Sequence, residues 1–304
     1  MKIGIVGMGS VGSSIATAVL SSGLAEELLL ADVNHDRAEG EAMDLAQGAA
    51  FYPSAIVRSA SVDAMRDADA VVIAAGRGGR PEQSRLSLLQ ENAQIVCGIA
   101  RQLADTRGLI VIVTNPVDVL TQLAVKASGL PATRVIGTGT MLDTARLRQI
   151  LGRNLHLEPR SIHAQVVGEH GDSEVVLWSS AQIGGTPLRA LKRWHVSDEA
   201  LIAKEVRDAA YEIIRRKGAT NHAIGYVTAA LLRWALRGDQ RVLTVSRMQE
   251  GAHGIHDVAL SLPTLVGPKG ATEVLDVPMD EAEHNALVHS AETLRKAVEE
   301  IGSV

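Results

Sequence analysis

Residues 2–20, KIGIVGMGSVGSSIATAVL, decide the fold. A short apolar run, 3–6, passes directly into Gly7, Gly9 and Gly12 of GMGSVG, and a helical run follows. In a strand–turn–helix unit the first glycine permits the tight turn, and the second lets the backbone approach a pyrophosphate. The third allows helix to pack closely on strand. The helix N-terminus then presents free N–H groups to the phosphates. Asp32 stands twenty residues after Gly12, at the end of a second apolar run, 28–31. There a carboxylate accepts hydrogen bonds from both ribose hydroxyls and repels a 2′-phosphate, so the site favours NAD over NADP.

Outward from this unit, apolar runs at 55–57, 70–75 and 109–113 each read as a buried strand. Segments of helical periodicity lie between the strands, at 11–22, 37–47, 85–103 and 117–126. Strand alternating with helix is the pattern of a doubly wound parallel sheet. The texture changes after Thr140: a helix at 141–151, strand-like runs at 162–167 and 242–245, and long charged helices at 197–217 and 280–301. The expected architecture is α/β, with a Rossmann NAD-binding domain over 1–140 and an α+β substrate domain over 141–304.

Composition narrows the function classes. At roughly 150 residues per domain, 304 residues make about two domains. Hydrophobic residues at 46% and charged residues at 21% describe a globular protein and exclude wholesale disorder. A formal charge of -5 gives no basic field for nucleic acid or an anionic membrane. Aromatics at 2% leave no platform for stacking bases. Cys97, the single cysteine, cannot form an intramolecular disulfide and suits a reducing cytoplasm. The opening MKIGIVGMGS lacks the long apolar region of a signal peptide, and no apolar run is long enough for a membrane span, so a cytoplasmic location is expected. The ten histidines show no HExxH spacing and the lone cysteine excludes a cysteine-rich zinc site, so no metal is expected.

The remaining polar signals cluster. GRGGRPEQSR, from Gly76, carries Arg77, Arg80 and Arg85 at the end of a strand, on the side where parallel sheets bind ligands. In TNPVD, Asn115 follows a strand and precedes Pro116 at a helix start, where its amide can contact substrate or cofactor. In MLDTARLR, Asp143 and Arg146 share a helix face, while Arg148 lies about 200° round from Arg146. His170, in the glycine-flanked turn of VVGEHGDSE, can give or take a proton. The expected cofactor contacts are Gly7, Gly9, Val11, Gly12, Asp32, Ala75, Gly76 and Asn115.

Through GMGSVG, the AAG that precedes the arginine-bearing loop, TNPVD, GTGTMLDTARLR, GEHGDSE and RKGATNHAIG, the chain resembles the L-lactate/malate dehydrogenase family over essentially its whole length. LDTARLR, GEHGDSE, AYEIIRRKGAT and VLTVS are most similar to the bacterial L-lactate branch. The resemblance implies that His170 is the general acid/base and that Asp143 holds and stabilises its imidazolium. It implies that Arg146 binds the substrate carboxylate as a bidentate fork. Arg85 would polarise the substrate carbonyl on loop closure, and Asn115 would hydrogen-bond the same oxygen. Where the family reads the far end of the substrate, usually with Gln in lactate enzymes and Arg in malate enzymes, this chain has Gly79, with Arg80 beside it. Thr220 matches the lactate-type position on the opposite pocket wall, while Asn221 and His222 replace residues that are often larger and aromatic. Arg148 and His163 match positions that bind fructose 1,6-bisphosphate between subunits of allosteric bacterial lactate dehydrogenases, and the chain starts at its first strand without the N-terminal arm of vertebrate tetramers. A homotetramer, or a dimer in equilibrium with one, is therefore expected. The leading expectation is an NAD-dependent L-lactate dehydrogenase. Its rivals are a malate or broader 2-hydroxyacid dehydrogenase and a catalytically idle NAD-binding protein, which would need none of the catalytic set.

Overall fold

The computed structural model describes residues 1–78 and 84–302. Its first half runs β1 (Lys2–Val6), α1 (Ser10–Ser21), β2 (Glu27–Ala31), α2 (His35–Gln47), β3 (Ile56–Ser59), β4 (Ala70–Ile73), α3 (Arg85–Gln102), β5 (Leu109–Ile112), α4 (Val117–Ser128) and β6 (Val135–Gly137). The second half adds α5 (Met141–Leu155), β7 (Ile162–His163), β8 (Val166–Val167), β9 (Val175–Val176), β10 (Gln182–Ile183), β11 (Thr186–Pro187) and α6 (Glu199–Lys217). It finishes with α7 (His222–Arg237), β12 (Arg241–Glu250), β13 (His256–Gly267), β14 (Gly270–Val274) and α8 (Glu281–Ile301).

Strands β6-β5-β4-β1-β2-β3 form a parallel sheet in that order, with β1 pairing to β2 on one side and β4 on the other. Chain order reverses at β1 and β4, which opens a crevice at their carboxyl ends. Strands β4 (AVVI) and β5 (LIVI) are apolar and buried at every position because helices cover both faces. Successive side chains point to opposite faces. Val71, Ile73, Ile110 and Ile112 therefore enter a core beneath α3 and α4, whereas Ile3, Ile5, Val72 and Val111 pack with Ile15 and Val19 of α1 and Leu231 and Leu232 of α7. Full burial of one such side chain stabilises by about 1.5–3 kcal/mol. A third core, around Leu147, Trp178, Trp194 and Val206, lies beneath α5 and α6.

The sheet does not end with the first half. Antiparallel β12, β13 and β14 continue it beyond β6 to nine strands, and the joint is a single register pair, Ser246 against Gly137. A Cβ on Gly137 would fall 2.5 Å from Thr121 Oγ1 and 3.0 Å from Ser246 Cβ, so this contact requires glycine. Next to it, Thr140 N–H donates to Ser261 Oγ at 3.0 Å and Thr140 Oγ1 to Val166 O at 2.6 Å.

Two elements differ from expectation. The run 162–167 divides into β7, paired with β10, and β8, paired with β9. Residues 222–237, which periodicity had not singled out, form α7, whose buried Thr228, Ala229, Leu232 and Ala235 face the sheet core. Gly225 lets it approach α1: a Cβ there would lie 2.7 Å from the Ser14 carbonyl oxygen. Among the described residues no helix is long and apolar enough to cross a membrane.

Candidate active site

At the end of β1 the chain turns through Gly7, whose φ of 99° lies in the left-handed region that disfavours any side chain. A Cβ on Gly12 would fall 1.9 Å from the Gly7 carbonyl oxygen, whereas a Cβ on Gly9 would meet nothing within 4 Å. The turn is therefore closed on its protein side and open at Gly9. No side chain caps α1, so its first N–H groups are available to an anion, and half-buried Val11 lies in that first turn. Asp32 fixes the turn from β2: Oδ2 accepts the Met8 N–H at 2.7 Å and Oδ1 the Asn34 N–H at 2.9 Å. Each oxygen retains a lone pair for a ribose hydroxyl. This cradle, with its open middle glycine, free helix N-terminus and strand-end carboxylate, fits a dinucleotide.

The crevice floor continues through Ala75 and Gly76. Thr114 Oγ1 donates to the Ala75 carbonyl at 2.8 Å. Buried Asn92 on α3 accepts the Arg77 N–H at 2.7 Å, and its Nδ2 donates to the Asn115 carbonyl at 3.1 Å. Asn92 thus joins the strand-end loop to the TNPVD segment. Sequence reasoning passed over it because nothing local distinguishes one asparagine in an apolar helix.

Asp143, in the first turn of α5, is 2% exposed and serves two partners with its two oxygens. Arg146 Nη1 donates to Oδ1 at 2.6 Å, and His170 Nδ1 lies 2.5 Å from Oδ2. Burial works against ionisation of Asp143, but His170 and Arg146 outweigh it and hold the carboxyl below its ordinary range. Burial likewise disfavours the imidazolium of His170; the charge and hydrogen bond of Asp143, with the charge of Asp118, reverse this and raise it to about 9. The main-chain N–H of His170 donates to Asp118 Oδ2 at 2.7 Å.

His170, Asp143, Arg146 and Asn115 line one cavity of about 470 Å³, together with Leu88 and Glu174. Asn115 Oδ1 accepts the Val117 N–H at 3.3 Å, which leaves its Nδ2 group for a ligand. Glu174, in the turn after His170, was not singled out from the sequence although it stands in GEHGDSE. Burial and the neighbouring Asp143 push its carboxyl up to about 8. Arg207 and Tyr211 of α6 also border the cavity and were not foreseen.

The other candidates are distributed differently. Arg85 opens α3. Gly79 and Arg80 lie outside the described residues. Thr220 is half-buried in the connection from α6 to α7 and is not among the residues lining the cavity. Arg148, on the other face of α5, donates Nε to the Ala164 carbonyl at 3.0 Å, beside exposed His163 on β7. Burial and the nearby charge of Arg241 lower its hold on its proton.

A dinucleotide cradle at the switch point of a parallel sheet, together with a half-buried histidine paired to a buried carboxylate, defines an NAD-dependent dehydrogenase. Residues 1–137 match the lactate/malate dehydrogenase NAD binding domain, and residues 140–303 match the lactate/malate dehydrogenase alpha/beta C-terminal domain. An L-lactate dehydrogenase of Kosmotoga olearia is 42% identical over 311 aligned residues, which cover 99% of this chain and 96% of that one. One of Salinibacter ruber is 45% identical, over 96% and 95% of the two chains. The crystal structure of the minor L-lactate dehydrogenase of Enterococcus mundtii in its ligands-bound form superposes with a TM-score of 0.96 at 39% identity, covering 98% of this chain and 97% of that one. The chain belongs to the lactate/malate dehydrogenase family.

Proposed function

We propose that this protein is an L-lactate dehydrogenase, interconverting pyruvate and L-lactate, with residues 1–140 as its cofactor half and 141–304 as its substrate half. The observation that carries the proposal is the His170–Asp143 contact of 2.5 Å, with Arg146 on the second carboxylate oxygen. NADH, when bound, supplies the hydride. Asp143 accepts from Nδ1 of His170, which fixes the ring so that Nε2 holds the proton destined for the substrate oxygen. Arg146 has guanidinium N–H groups beyond the one given to Asp143, and these take the substrate carboxylate. Asn115 Nδ2 donates to the carbonyl oxygen that His170 protonates. Arg85, at the head of α3, completes the set by polarising that carbonyl.

Initial rates at fixed NADH with pyruvate, 2-oxobutyrate and oxaloacetate test the assignment. Gly79 supplies no cation for a second carboxylate, and leaving such a charge unpaired in a closed site costs several kcal/mol. Pyruvate and 2-oxobutyrate should therefore exceed oxaloacetate in kcat/KM. A tenfold preference for oxaloacetate would make the enzyme a malate dehydrogenase, with Arg80→Ala identifying the cation, and absence of turnover with every acid would leave an NAD-binding protein. NADPH should substitute poorly, because Asp32 would face its 2′-phosphate.

The same reading places the enzyme in the cytoplasm, in fermentative glycolysis, as a homotetramer or a dimer in equilibrium with one. Arg148 and His163 form its fructose 1,6-bisphosphate site between subunits. The tether from Arg148 to Ala164, next to His163, supports that pairing. Sedimentation and pyruvate KM, each with and without the bisphosphate, decide it; no change in either would remove the effector site.

A further inference from the structure

His170 and Asn115 come from segments far apart in the chain, yet both are assigned to one substrate oxygen. Two donors can converge on a single atom only if their backbones are fixed relative to one another. Among the described residues a direct hydrogen bond links the two segments. Asp118, three residues after Asn115 and 1% exposed in the first turn of α4, accepts the main-chain N–H of His170 at 2.7 Å. Four residues further on the same helix face, Gln122 donates to the Asp257 carbonyl at 3.3 Å and accepts the Ala259 N–H at 3.2 Å, which braces α4 against β13.

A neutral acceptor could hold that N–H, and a carboxylate is an expensive choice. The other oxygen of Asp118, Oδ1, is buried outside close hydrogen-bond distance of any described residue, and the group that acts on it is the buried hydroxyl of Ser246 on β12, which itself has no closer partner. Burying an under-satisfied anion is unfavourable unless its charge acts on something. Two positive poles are at hand: the N-terminus of α4 and the imidazolium of His170. We propose that Asp118 is a positioning residue for catalysis, holding the backbone of His170 in register with Asn115 and setting a buried negative charge against the turn that carries the imidazole. His170 would then stand between two buried carboxylates, Asp143 on its ring and Asp118 on its backbone.

Asp118 acts on the reaction in this way only if His170 is the acid/base proposed above. The groups that act on His170 are Asp143 and Arg146 of α5 and Asp118 of α4, with Glu174 on its own turn; those that act on Asp118 are His170, Glu169 and Ser246. Burial raises the Asp118 carboxyl to about 6, with the Ser246 hydroxyl and the His170 N–H pulling it back. It is therefore charged at neutral pH and loses its charge as pH falls through that value.

Asp118→Asn keeps an oxygen acceptor for the N–H and removes the charge. Following the His170 ring by NMR, the midpoint of its titration should fall by about half a pH unit or more. The alkaline limb of kcat/KM for pyruvate should move with it, while KM for NADH and the melting temperature stay near wild type. An unmoved ring midpoint in the folded variant would overturn the proposal, whatever the activity. If the ring shifts but the limb does not, the limb does not belong to His170 and the acid/base assignment fails instead. Should the variant not fold, the wild-type protein answers directly: the His170 main-chain amide resonance should titrate with a midpoint near 6. An amide that shows no acid-side titration down to the onset of acid unfolding would overturn the link on its own.

Discussion

One carboxylate with two cationic partners sets the chemistry at the residue scale. Asp143 both pins Arg146 and raises His170 to about 9. Pyruvate reduction needs the protonated ring, so its kcat/KM should be level at neutral pH and fall above about pH 9, with lactate oxidation showing the opposite slope. Stability follows the same sign. A histidine whose native pKa exceeds its ordinary 6.5 contributes fully below that value, and the contribution is lost as pH rises through about 9. His170→Asn should remove the limb and lower turnover by two to four decades, on the order expected for a general acid, while NADH binding measured by fluorescence persists. Retained turnover would take His170 out of the mechanism. The pair itself was legible in the sequence, because His170 and Asp143 sit in distinctive motifs. Asp118 and Asn92 were not, because a buried polar residue reveals its partner only through a contact across the fold.

Elements were legible in proportion to their length and the clarity of their ends. Strands β4 and β5 are continuous apolar runs, and α8 begins with a capping box of Asp280 and Glu283. By contrast Asn221, which precedes α7, does not cap it with its side chain, and the helix carries Gly225 and Thr228 on its buried face, so both its start and its propensity are weak. Strands β7 to β11 have two residues each, too short for any alternation to register. The close approach of α7 to α1 makes a firm test. Gly225→Val would drive a side chain into the Ser14 carbonyl, and overpacking of this kind costs about 1–3 kcal/mol. The melting temperature should drop, and NADH affinity should weaken with it because α1 carries the phosphate turn. An unchanged melt would show that the two helices separate freely.

At the scale of the whole molecule, one sheet of nine strands passes through both halves, although sequence texture suggested a boundary near 140. Texture reports local periodicity, whereas the continuation of β6 into β12 pairs residues more than a hundred positions apart, which no local pattern encodes. The three tryptophans, Trp178, Trp194 and Trp234, all lie in the second half. Trp178 and Trp194 report on the core beneath α5 and α6 and Trp234 on α7 where it covers the parallel sheet, while far-ultraviolet circular dichroism follows the whole chain. The two denaturation curves in guanidinium should coincide, since neither half can lose its sheet without exposing an edge of the other. Separate midpoints would mean that the halves unfold independently.

The joint at Gly137 has a consequence for recombination. Exchanging substrate halves between relatives looks like a matter of cutting near residue 140, where the two family domains abut. Yet the seam is written on both sides of any such cut: Gly137 and Thr121 come from one parent, Ser246 and Ser261 from the other, and the contacts leave no room for an extra methyl group. Chimaeras of this enzyme would need these four small residues to match, along with the close approach of Gly225 to Ser14, largely irrespective of where the crossover is made.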